Sequence, residues 1–201
     1  LGDVYKRQVV AAARKYYAEN GGVKPLKLFI NDYNLESTWD DNKKAKSLVH
    51  WIEKWESDGV TKIDGIGTQM HVTYNADAAK QQKQEEHVVK MFEILAKSGK
   101  LVKVSELDMG YVDESGTVVL TKDMTEEQHK AMAEYYKFIV KKYFEIIPVA
   151  QQYGITQWCA TDAPGAPGDS NWRGGEPVGL WDSNYNRKHT YAGFADGMAG
   201  K

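Results

Sequence analysis

Residues 99–109 read GKLVKVSELDM, and the rest of the chain is organised around the pattern they set. Behind Gly99 stand Leu101, Val102 and Val104, and at the far end the polar groups Ser105, Glu106 and Asp108 collect. A short aliphatic run bounded by glycine predicts a buried strand. Side chains alternate along a strand, so two carboxylates two residues apart point to the same side. An apolar strand with polar groups at its C-terminal end is the arrangement of sheets that keep their chemistry at that edge.

Three other segments repeat it: Lys27–Asp32 (KLFIND), Ile63–Val72 (IDGIGTQMHV) and Gly154–Asp162 (GITQWCATD). Their polar ends are Asn31-Asp32, Gln69 to His71, and Asp162. Helical periodicity fills the gaps. Leu48, Trp51, Ile52 and Trp55 fall at i, i+3, i+4 and i+7, and Val88, Met91, Phe92 and Leu95 repeat that spacing before Gly99. Thr125 and Gln128 form a capping-box pattern ahead of the stripe Met132, Tyr135, Tyr136, Ile139 and Tyr143, which ends before Pro148. Further helices are expected over Tyr5–Glu19, stopped by Asn20-Gly21-Gly22, and over 189–198. Strands separated by helices pair in parallel through right-handed crossovers. The fold class expected is therefore α/β, with one helix and then four βα units, half of an eight-fold (β/α)8 TIM barrel.

Composition narrows the function. The 26 basic and 28 acidic residues leave a formal charge of −2, which offers no field to attract nucleic acid or an anionic membrane. No apolar run reaches the roughly 20 residues of a membrane span. Trp and Tyr greatly outnumber Phe, and such rings suit sugar faces as well as packing. Cys159 is the only cysteine, so neither a disulfide framework nor a multi-cysteine metal site is expected. Gly65-x-Gly67 lacks the third glycine of a dinucleotide fingerprint, no HExxH occurs, and the loop from Asp113 to Asp123 lacks the EF-hand pattern. No metal, organic cofactor or protein partner is expected. His50, His87 and His129 fall within predicted helices and are expected on solvated faces, and Trp39, Trp51, Trp55 and Trp181 are assigned to packing.

Glu106 with Asp108 has the chemistry of a glycosidase site, which needs carboxylates on either side of the scissile bond. Asp108 can orient a histidine that in turn holds Glu106. From the residues alone, a solvated strand end is an equal reading.

The ordered motifs separate the two. GKLVKVSELDM fits at every position the nucleophile signature of glycoside hydrolase family 10, the xylanase-type (β/α)8 enzymes. LFINDYNLE resembles that family's fifth strand and IDGIGTQMH its sixth. The stretch ITQWCATDAPGAPGDSNWRGGEPVGLWDSNYNRKHTYAGF resembles its eighth strand, following loop and closing helix. The similarity runs from about Val9 to Gly197, so residues 1–201 are read as a partial catalytic domain with strands 5–8. Residues 1–8, LGDVYKRQ, resemble translated adaptor sequence and are expected not to be native.

The resemblance implies a retaining endo-β-1,4-xylanase acting on xylan or xylo-oligosaccharides. Glu106 is then the nucleophile, with His71 and Asp108 as the partners that hold it. Gln69 matches a residue on the glycone side, and Trp158 and Trp172 match the wall and roof of the −1 and −2 subsites. Tyr33 and Asn34 match positions facing the aglycone side, and Arg173 is either a cleft hydrogen-bonder or a loop brace. The family's acid/base glutamate follows an asparagine, and these 201 residues contain no Asn-Glu dipeptide. The isolated chain is therefore expected to be a nearly inactive fragment. A glucan-active relative and an inactive carbohydrate-binding derivative remain as alternatives. Polymeric xylan places the full-length protein outside the cell or on its surface.

Overall fold

The computed structural model describes residues 2–165 and 170–201, with side chains from residue 4 onward. Five helices are present: α1 Gly2–Glu19, α2 Lys43–Glu56, α3 Ala78–Lys97, α4 Glu126–Ile146 and α5 His189–Met198. The strands are β1 Phe29–Asp32, β2 Gly65–Thr68, β3 His71–Asn75, β4 Leu101–Val112 and β5 Gln152–Gln157. Every ladder between them is parallel. β1 pairs β2, β2 pairs β4, β3 continues past β2 along β4, and β5 lies on the other side of β4. These are four strand positions in chain order, each followed by a helix, as the periodicity requires.

The boundaries differ from the sequence expectation at informative places. The expected strand 63–72 is two strands, because Met70 takes a left-handed φ of 61° and turns the chain between Thr68 and His71. That conformation is unusual for a methionine, and a fully buried side chain fixes it. The third strand extends three residues further than expected, to Val112. The fourth begins at Gln152 and ends at Gln157, leaving only an isolated bridge from Thr161 to Trp181.

β4 carries one extra residue. Thr68 faces Val104 and His71 faces Asp108, so two residues on one side span three on the other. Against β5 the same occurs, with Val104 opposite Ile155 and Leu107 opposite Gln157. These two shifts share Ser105–Glu106, and a further one against β5 lies between Val102 and Lys103. A bulge of this kind leaves its residue out of the ladder and redirects the side chain.

The helices are seated by their buried stripes. On α4 the side chains of Tyr135, Tyr136 and Tyr143 are fully enclosed. The Tyr143 hydroxyl donates to Val102 O at 2.8 Å and accepts from the N–H groups of Tyr153 and Gly154, each at 3.0 Å, tying α4 to β4 and β5. The Thr125–Gln128 capping box is present in both halves. Asp77 caps α3 by accepting from Ala79 N and Lys80 N. Among the described residues β1 and β5 each have one strand neighbour. An apolar groove of about 280 Å3 runs beside β1, lined by Tyr5, Val9 and Val10 of α1 with Leu28, Ile30 and Ile63.

Two assignments need correction. Trp39 is 73 % exposed and fills no core. His87 is buried rather than solvated, with its Nδ1 2.7 Å from Asn42 Oδ1. It stands four residues before Met91, on the inward stripe of α3. His129 is half-buried, and His50 is exposed as expected.

Burial, then Lys90, holds the His87 pKa below its ordinary 6.5. The unfolded chain therefore takes up the proton first, and His87 costs stability as pH falls through about 6.5. The urea midpoint of wild type should fall further between pH 7 and about 5.5 than that of His87→Gln. Parallel pH profiles for the two chains would refute this.

Candidate active site

The four strands end on one edge, and the side chains there converge on Glu106. The bulge at Ser105–Glu106 is clamped by its neighbour, since Glu106 N donates to Gln69 O at 3.1 Å. Asn31, at the end of β1, donates its Nδ2 to Glu106 Oε1 at 2.9 Å. Ser105 Oγ donates to Asn31 Oδ1 at 2.7 Å and so fixes which way that amide faces. Room for Asn31 comes from its register partner Gly67, where any Cβ would overlap the Asn31 amide oxygen.

The other carboxylate oxygen faces His71. His71 Nε2 lies 3.3 Å from Glu106 Oε2, and Nδ1 lies 3.1 Å from Asp108 Oδ2. The Nδ1 approach has the distance of an ion pair but not the alignment of a hydrogen bond. Glu106 and Asp108 thus share one imidazole, which stands on a different strand.

Asp108 is fully buried and its charge is compensated. The Trp172 indole donates to Asp108 Oδ2 at 2.6 Å, and Arg173 Nη1 donates to Oδ1 at 3.2 Å. Arg173 also donates to Val72 O at 2.9 Å, to Thr73 Oγ1 at 3.1 Å and to Glu176 Oε2 at 3.0 Å. With its guanidinium so engaged, Arg173 takes the brace position of its two expected alternatives. Gly110 makes space for it, as a Cβ there would overlap the guanidinium.

Trp158 and Trp172 stand over this group, about half exposed. The His71 ring centroid lies 5.9 Å from that of Trp158 and 4.7 Å from that of Trp172. Exposed indole faces beside a carboxylate provide an apolar platform for sugar C–H groups. Cys159, next to Trp158, is half-buried, and burial pushes its thiol up to about 11, so it stays protonated and a poor nucleophile.

Glu106, His71, Asp108, Trp158, Trp172 and Arg173 are therefore brought together. Gln69 is half-buried at the break between β2 and β3, and its backbone braces the bulge. Tyr33 is 55 % exposed, with the Lys44 ammonium 3.5 Å from its ring centroid, and Asn34 sits at a left-handed φ of 56° on the turn after β1. Asn31 and Ser105 are functional candidates that the sequence reading did not single out. Their only signal was their place at polar strand ends.

The sequence profile of glycosyl hydrolase family 10 matches residues 1–197. The chain is 29 % identical over 187 residues to endo-beta-1,4-xylanase Xyn10C of Cellvibrio japonicus, covering 86 % of this chain and 28 % of that protein. It is 29 % identical over 175 residues to exoglucanase XynX of Acetivibrio thermocellus, covering 85 % of this chain and 13 % of that one. Among solved structures, a mutant of xylanase10C from C. japonicus in complex with xylopentaose superposes with a TM-score of 0.69 at 26 % identity. That match covers 92 % of this chain and 39 % of the other. The chain thus spans less than half the length of these relatives. The shared architecture makes its four strand positions part of a (β/α)8 barrel. With a profile match over nearly its whole length, the chain belongs to glycosyl hydrolase family 10.

Proposed function

We propose that this chain carries the nucleophile's part of an endo-β-1,4-xylanase that works by double displacement. Glu106 attacks the anomeric carbon of a xylosyl unit as the leaving oxygen departs, forming a glycosyl-enzyme that water then hydrolyses. The observation that carries this is the setting of the Glu106 carboxylate. It is held on one oxygen by Asn31 and faced on the other by His71, so it is oriented while open to a cleft walled by Trp158 and Trp172. The protonating carboxyl comes from elsewhere in the barrel.

In the complete enzyme a mechanism-based fluoroglycoside should attach to Glu106, read by mass spectrometry of the labelled peptide. Attachment to any other residue would overturn the assignment. The isolated chain should hydrolyse xylan at least about 10²–10⁴-fold more slowly than the complete enzyme, the usual contribution of a general acid. Comparable rates would count against the fragment reading.

The exoglucanase relative favours one second reading, a β-1,4-glucan substrate for the same site. Side-by-side rates on xylan and cellulose decide it. Either polymer lies outside the cell, so the full-length protein is proposed to be secreted or displayed at the surface. Among the described residues no helix is long and apolar enough to cross a membrane.

A further inference from the structure

A third carboxyl group lies behind the site. Glu36, on the turn after β1, is 6 % exposed beside the fully enclosed Leu35, and its Oε2 has no hydrogen-bond partner. A buried carboxyl oxygen without a partner is costly, and native structures retain few such atoms. The Tyr135 hydroxyl, reaching from α4, is also buried and unpartnered. Glu36 and His71 line the same small cavity of about 190 Å3, together with Asn34, Thr73 and Gln84. His71 thus has Glu106 at Nε2, Asp108 at Nδ1 and Glu36 across a cavity.

We propose that Glu36 is a positioning residue that acts on Glu106 through His71, its proton setting how firmly the imidazole keeps its own. This rests on reading Glu106 as the nucleophile. A neutral imidazole has one N–H and donates to one carboxylate, whereas the protonated ring donates toward both. An added negative charge near the ring favours the protonated form. Loss of the Glu36 proton therefore keeps an N–H directed at Glu106.

Burial raises the Glu36 carboxyl to about 7. Its own backbone N–H, then His71 on β3 and Lys44 on α2, pull it down, while Asp40 on the loop before α2 pushes it up. Tyr135 on α4 stays neutral throughout, because burial pushes its phenol far above the usual range. Of the carboxyl and the phenol, Glu36 is thus the one that changes charge near neutrality.

The experiment follows the His71 ring nitrogens by 15N NMR from pH 5 to 9 in the 201-residue chain, assigned by loss of the signal in His71→Gln. In wild type the shifts should show an inflection near pH 7. In Glu36→Gln the step that reports the Glu36 charge should disappear, leaving only the ring's own titration, while near-UV circular dichroism stays native. Glu36→Asp should restore an inflection. Lys44→Met, which removes a cation acting on Glu36, should move the inflection to higher pH, and this variant carries the test if Glu36→Gln does not fold. Identical His71 titrations in wild type and in the folded variants would overturn the inference. That failure leaves the nucleophile assignment intact, whereas fluoroglycoside labelling away from Glu106 removes the assignment without altering what His71 reports.

Discussion

Replacing Glu106 with Gln in the complete enzyme should lower kcat/KM on xylo-oligosaccharides by on the order of 10⁴-fold or more, the scale on which loss of a covalent nucleophile acts. Gln preserves the size of the side chain and an oxygen for the Asn31 amide, so the thermal midpoint should change little. What disappears is the negative charge that, on the proposed mechanism, attacks carbon. The two measurements together separate chemistry from folding. A variant that keeps more than about a tenth of wild-type activity, with water competing no better than before, would exclude Glu106 from covalent catalysis. Loss of activity with an equally large loss of stability would place Glu106 among the structural residues instead.

Asp108→Ala should have the opposite signature. The carboxylate is fully buried and faces Arg173, Trp172 and His71. Removing it leaves the Arg173 guanidinium enclosed with Glu176 as its remaining charged partner and strands the indole N–H. Breaking one side of a buried pair costs about 3–5 kcal/mol, and Glu176 puts the expectation near the lower end, about 3 kcal/mol. Urea unfolding of the chain at pH 7 measures it directly. Asp108→Asn should lose less, since the amide oxygen still accepts from Trp172. A loss under about 1 kcal/mol for Asp108→Ala would show that the loop bearing Trp172 and Arg173 is held by other contacts.

What the sequence discloses here is whatever repeats locally. The four strands, the helical stripes and the Thr125 cap are local patterns, and each is found within a few residues of its expected place. Polar groups at strand ends marked the edge on which the structure gathers His71, Glu106 and Asp108, carried by QMH and ELDM. The break at Met70 was hidden because nothing in IDGIGTQMHV forbids an unbroken strand. The site's braces depend on residues far apart in sequence. Arg173 reaches Thr73 and Val72 about a hundred positions earlier, and Asn31 reaches Glu106 across 75. Neither leaves a periodic trace. His87 was misplaced for a different reason. It was placed by its helix alone, although its spacing to Met91 is that of the buried stripe.

The extra residue at Ser105–Glu106 makes the spacing of this chain as important as its chemistry. On the β2–β3 side three residues of β4 face two, and on the β5 side two residues of β4 face one. A chain lacking one residue there would lose the offset on both sides of β4 at that point, while the shift against β5 between Val102 and Lys103 would remain. Glu106 would then occupy a ladder position, without the bulge that presents it to Asn31 and His71. A single-residue deletion in this short span would therefore remove the bulge that sets the Glu106 carboxylate between Asn31 and His71. The length of β4 between Val104 and Asp108 thus matters to the site as much as the side chains on it.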